Sequence, residues 1–216
     1  MRCLYKTKFP VFLPAAKIRM STFELYFGLG KDHILDYTNG YDHILFVIVL
    51  CAVYVVRDWK KILILITSFT VGHSITLALA TWKVIQFDAT LIEFLIPLTI
   101  FVTAVANLFR SEASVERGHV QLNYLFALFF GLIHGLGFSN YLRELLGQQQ
   151  NITVPLLAFN LGLEFGQIIV VAIFMVISFI LVDLLTLNRR DWKMIISSAI
   201  AGMAFILMKD SSYLNS

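Results

Sequence analysis

Hydrophobic residues in this chain fall into long, almost uninterrupted runs separated by short polar loops. About 20 apolar residues in helical conformation cross a hydrocarbon layer about 30 Å thick. On that measure six runs predict spanning helices: Tyr41–Val56, Ile62–Trp82, Thr90–Phe109, Val120–Phe138, Val154–Leu184 and Trp192–Met208. The first is short for a span. The fifth is long, which predicts tilt or an extension beyond the bilayer. Tyr141–Leu146 predicts a short interfacial helix ahead of the Gln148–Asn151 loop. Residues 22–38, TFELYFGLGKDHILDYT, are too charged and too short to cross. They predict an amphipathic helix at the interface, capped by Ser21 or Thr22 and closed by an Asn39-Gly40 turn. The fold class is therefore all-α: a polytopic transmembrane helical bundle, with six spans plus an N-terminal interfacial helix. Residues 22–210 form one transmembrane domain. Residues 1–21 are a basic tail whose Met20 is an alternative start.

Composition agrees. The 216 residues are 58% hydrophobic and only 14% charged, against about 25% charged in soluble domains, and mean hydropathy is +0.78. The expected partner on these grounds is a lipid bilayer. A net charge of +3 gives no reason to expect nucleic acid. Cys3 and Cys51 do not form a disulfide framework; Cys51 lies in an apolar run and packs as a small hydrophobe.

Loop charge sets the expected orientation. One side of the bundle carries Arg57, Lys60, Lys61, Arg110, Arg117, Arg189, Arg190 and Lys193; the other carries Lys83, Arg143 and Lys209. The first side should be cytoplasmic, which makes this a multi-pass protein of the cytoplasmic membrane.

Against that apolar background, a few ionisable residues stand out. Intramembrane ionisable groups are costly unless paired or ligated. Asp42 and His43 begin the first run, His73 and His134 lie inside the second and fourth, and Glu164 lies inside the fifth. At about 1.5 Å per residue, His73 is roughly 17 Å from the cytoplasmic end of its run, His134 roughly 21 Å, and Glu164 about 15 Å in from the opposite side. Their depths agree, and place the site toward the extracytoplasmic side. His33 and Glu93 are secondary candidates.

Each residue also has a purely structural role open to it. Asp42 can cap its helix. His73, flanked by Thr70 and Thr76, can bridge helices. Gly131 and Gly135 around His134 can simply admit a neighbouring backbone. Glu93 precedes Pro97 by one turn, and Pro97 has no N–H for the Glu93 carbonyl. Glu164 shares a helix face with Asn160 and Gln167, while Gly162 and Gly166 lie on another. His119 reads as interfacial. Imidazole with carboxylate and no thiolate suits zinc, nickel, cobalt or iron rather than copper(I).

The motifs Gly30–Ile34 with Gly40–Phe46, Phe69–Ala80, Glu93, Gly131–Phe138 and Phe159–Gln167, in that order, resemble the HupE/UreJ family of membrane proteins. The resemblance covers roughly residues 22–170. It implies a membrane protein of six to seven helices and, by the family's naming, nickel uptake. By motif match it implicates His33, Asp42, His43, His73, His134 and Glu164. The nine residues from His33 to Asp42 exceed the spacing in the better-known nickel permeases, and the histidine-rich stretch of those permeases is absent.

Two functions follow as expectations. The first is binding of a divalent metal, nickel or zinc, at Asp42, His43, His73, His134 and Glu164, with transport across the membrane. The alternative is an intramembrane zinc-dependent hydrolase with Glu164 as catalytic base. A scaffold whose polar residues only tie helices together is the third reading.

Overall fold

The computed structural model describes residues 21–37, 40–110, 120–146 and 152–214. The basic tail and Met20, Asn39, His119 and the Gln148–Asn151 loop lie outside these. The described residues form seven principal helices: α1 (Thr22–Leu35), α2 (Tyr41–Cys51), α3 (Trp59–Thr81), α4 (Ala89–Phe109), α5 (Val120–Leu146), α6 (Thr153–Ser178) and α7 (Arg189–Asp210). The all-α bundle is as expected.

Local chemistry sets the helix ends. Ser21 Oγ accepts from the Glu24 N–H at 3.2 Å, and Glu24 Oε2 accepts from the Ser21 N–H at 2.8 Å. This reciprocal capping box satisfies two donors that the first turn leaves free. Asp88 caps α4 by accepting from the Thr90 N–H at 2.9 Å. Asn188 caps α7 by accepting from the Arg190 N–H at 2.8 Å, so α7 starts three residues before the apolar run. No breaker separates Phe138 from Tyr141, and the expected interfacial helix is instead a continuation of α5. Beyond Ser178 the last turn of α6 widens into a π-helix over Phe179–Leu184.

Among the described residues, five helices are long and apolar enough to cross a membrane: Val56–Thr81, Ala89–Phe109, Gln121–Leu146, Thr153–Leu184 and Arg189–Asp210. A sixth apolar helix, α2, is shorter. α2 has 11 residues, about 16 Å, which is half a bilayer. α1, the extra helix ahead of the spans, packs along α6, burying Tyr26, Gly30 and Ile34. A Cβ on Gly30 would lie 2.0 Å from the Phe159 carbonyl oxygen; one on Gly162 would lie 2.0 Å from that of Phe27. Further along, Gly166 faces Lys31 and Ile34. The two helices therefore run parallel, and α1 ends level with the middle of α6.

α2 continues from that depth. His43, at its start, contacts His73 and His134, each fourteen residues into its helix and so about 21 Å from the helix start. Past the other end of α2, the Tyr54 hydroxyl accepts from Asn123 Nδ2 at 3.0 Å, near the start of α5. Asn107 Nδ2 donates to the Val49 carbonyl at 2.7 Å, satisfying one acceptor that the last turn of α2 leaves open. α1 and α2 thus follow one another along the bundle, each about half a span in length, with the break at the level of His73 and His134. Unwound backbone at that depth is tolerated only where protein or a polar cavity surrounds it.

α3 and α5 are a second parallel pair locked by glycine. Cβ atoms on Gly72 and Gly131 would lie 2.1 and 2.2 Å from the carbonyl oxygens of Leu128 and Phe69. The core of the bundle lies between the two pairs, where Phe46, Phe69, Phe159 and Leu163 are fully buried.

Candidate metal centre

The break between α1 and α2 brings histidines together from three elements. The helical ladder stops at Leu35, the Gly40 N–H donates to the Asp36 carbonyl at 3.1 Å, and α2 begins at Tyr41. A Cβ on Gly40 would press on the His33 carbonyl oxygen at 3.0 Å. The glycine therefore lets the start of α2 approach the end of α1. His33 and His43 rings consequently sit 4.6 Å apart, centroid to centroid. α3 adds His73, 6.0 Å from His43 and 6.3 Å from His33.

One potential ligand atom on each of His33, His43 and His73 lies within 4.8 Å of the others. Metal–imidazole bonds of about 2.0–2.1 Å require these atoms to draw closer, a movement within reach of small side-chain rotations. His134 flanks the triad, 5.1 Å from His43. Its position follows from the glycine packing of α5, because a Cβ on Gly135 would meet the His73 carbonyl oxygen at 2.3 Å.

Second partners orient two of the rings. Asp42 Oδ1 lies 2.9 Å from His43 Nδ1 and accepts the His43 backbone N–H at 2.8 Å. That leaves His43 Nε2 facing the cluster without a partner. His134 Nε2 lies 3.0 Å from Thr99 Oγ1. The Thr99 hydroxyl gives its single proton to the Ile96 carbonyl at 2.7 Å, so it accepts from His134. Nε2 then carries the His134 proton, and Nδ1 keeps a free lone pair. Such outer contacts fix the tautomer and direction of metal-binding imidazoles.

The free nitrogens distinguish this cluster from hydrogen-bonded packing. His33 Nε2, His43 Nε2, both ring nitrogens of His73, and His134 Nδ1 are buried with no hydrogen-bond partner among the described residues. Buried polar atoms are rarely left unpaired without a functional reason. Aromatic rings wall the cluster: Phe138 lies 3.9 Å from His33, Phe46 4.9 Å from His134, and Phe69 5.2 Å from His134. The donor set is neutral imidazole in an apolar surround, which fits a borderline divalent metal.

The carboxylates divide differently. Asp42 reaches the cluster through His43. Glu164 is not a member of the triad: its Oε1 accepts from Thr67 Oγ1 at 2.6 Å, on the α3–α6 face. One turn further along both helices, Gln167 Oε1 accepts from Thr70 at 2.9 Å. Glu93 is exposed near the start of α4 and outside the triad. The geometry brings His33, a secondary candidate from the sequence, together with His43 and His73, and leaves Glu164 outside that group. Thr99 was not among the candidates either; its signal was a hydroxyl two residues after Pro97 in a mostly apolar span.

A multi-helix membrane protein with a buried cluster of histidines at a helix break is the class that fold and site define. A model of the HupE / UreJ protein family matches residues 12–210. The chain belongs to that family. No curated protein and no solved structure is matched.

Proposed function

We propose that the protein binds one divalent transition metal ion, nickel or zinc, through His33, His43 and His73, and passes it across the cytoplasmic membrane. The observation that carries this reading is the set of unpartnered buried imidazole nitrogens gathered at the interruption of a spanning helix. Broken helices at mid-membrane are the usual location of transported ions and of the sites that hold them. His134 offers a fourth nitrogen beside His43 to accept the ion as it moves. The arginine and lysines of the Arg57–Lys61 loop support a cytoplasmic position for that end, which leaves the histidines about 21 Å beyond it, near mid-membrane.

Membership in the HupE / UreJ family supports metal handling. The hydrolase reading is weaker because it needs Glu164 as a base beside metal-bound water, and that carboxylate is hydrogen-bonded to Thr67 outside the triad. The scaffold reading is weaker because helix-bridging histidines would have their nitrogens paired.

Uptake of radioactive nickel and of radioactive zinc into proteoliposomes tests the proposal. Wild-type protein should carry at least one of them faster than protein-free vesicles, and His43→Ala should not. Uptake at the protein-free rate for both metals would overturn transport; metal content of the same preparation separates that failure from a failure of binding.

A further inference from the structure

We propose that the cleft between α2, α4 and α5 binds one anionic phospholipid, with its phosphate on Arg110 and an acyl chain in the cavity beyond. The cavity measures about 350 Å³, within the range of small-ligand sites. Leu50, Val53, Leu65 and Phe130 line its inner walls, and Val102 and Phe126 line its outer ones. Val102 and Phe126 are themselves about half exposed, so the cavity opens sideways to the lipid.

Its charged and amide groups are confined to one end, while Thr103, one turn further in, gives its hydroxyl proton to the Thr99 carbonyl. Tyr54, Asn107, Arg110 and Asn123 line it there, at the end of the bundle that also holds the basic loops. Arg110 Nη2 donates to Asn123 Oδ1 at 3.2 Å, and Asn123 Nδ2 donates in turn to the Tyr54 hydroxyl at 3.0 Å. The guanidinium is thereby oriented while most of its five N–H donors remain available. Behind it, the buried Lys193 ammonium donates to the Arg110 carbonyl. Among the described residues no carboxylate pairs with either cation.

Two cations with no carboxylate partner among the described residues attract an anion, and arginine matches phosphate with two parallel hydrogen bonds. They also make this end a poor station for a metal cation. A soluble anion would leave the long apolar cavity with nothing to fill it. An amphiphile with a negative head uses both parts, and basic pockets between spanning helices on the cytoplasmic side are known lipid-headgroup sites. The site is separate from the histidines: Phe130 on the cavity wall contacts Phe46, which in turn covers His134.

Native mass spectrometry of the full chain, delipidated in neutral detergent and titrated with phosphatidylglycerol or phosphatidylcholine, tests the proposal. One phosphatidylglycerol should be retained per chain, at least about fivefold more tightly than phosphatidylcholine. Arg110→Gln should erase that preference and Arg110→Lys should keep part of it. Ala106→Phe, which fills the cavity from its α4 wall, should weaken retention of both lipids. Millimolar inorganic phosphate should not displace the lipid. Equal retention of the two lipids by the wild type, an unchanged preference in Arg110→Gln, undiminished retention in Ala106→Phe, or displacement by phosphate would each overturn the proposal.

Discussion

The α3–α5 and α1–α6 pairs are joined by the same device and do different work. In each, two parallel helices meet at reciprocal glycines: Gly72 and Gly131 in the first, Gly30 and Gly162 in the second. The carbonyl facing each glycine belongs to the residue three positions before the partner glycine: Leu128 and Phe69, then Phe159 and Phe27. Backbones that close leave no room for adjustment by side chains, and small residues are what permit such approach in a membrane. The difference lies in what the helices are. α3 and α5 are both full spans, so His73 and His134 are fixed from both ends. α1 has 14 residues and is followed by the break, so His33 sits on a half-span clamped along one side only. The same lock therefore builds a rigid wall in one place and a ligand with freedom to shift in the other.

Enlarging the glycines should break this comparison most visibly. Gly131→Leu forces a side chain onto the Phe69 backbone and should destabilise the bundle by more than about 3 kcal/mol, beyond ordinary overpacking. Little monodisperse protein should then be recovered in detergent. Gly30→Leu carries the same clash against α6, but five full spans do not depend on it. That variant should assemble and elute as wild type while retaining less than about a tenth of the metal, since about 1.4 kcal/mol already costs tenfold in binding. If both variants assemble equally well, the distinction between wall and half-span is wrong.

Removing ligands sharpens it. His73→Ala should abolish metal retention, because His73 is the triad's contribution from the rigid pair. His33→Ala should leave weak binding, about 10- to 100-fold reduced, detected by titration with cobalt or nickel. Equal losses would show that α1 holds its histidine as firmly as α3 does.

A smaller effect is expected at Thr99. Thr99→Val removes the acceptor that holds the His134 Nε2 proton, and loss of such an outer partner lowers metal affinity or activity about 10- to 100-fold. Transport should slow by that order while metal content at the triad falls less. Glu164→Gln should change metal content least of all, because the amide can still accept from Thr67. A fall in bound metal in that variant would bring Glu164 back into the site.

The bundle and its ionisable residues were legible in the sequence because membranes enforce them: apolar length marks the spans, and charge inside them is rare enough to notice. His43, His73 and His134 were visible on those grounds, as were the close-packing glycines of α5. The docking of α1 along α6 was not. GLGKDHIL carries Lys31 and Asp32, which read as an interfacial helix when the glycines of α6 are not known to be its partners. Glu164 looked central because an acid in an apolar run has no evident mate, and Thr67, 97 residues away in sequence, supplied one. Such pairing depends on how helices are arranged, and local pattern does not specify it.

The central claim is that His33, His43 and His73 jointly hold one divalent metal ion at the helix break. Elemental analysis of protein purified in detergent, loaded with nickel or zinc and freed of excess by gel filtration, tests it directly. The wild type should retain about one ion per chain, and His33→Ala/His43→Ala/His73→Ala should retain none while eluting at the same volume. A wild type that retains no metal, or a triple variant that retains as much as the wild type, would contradict it.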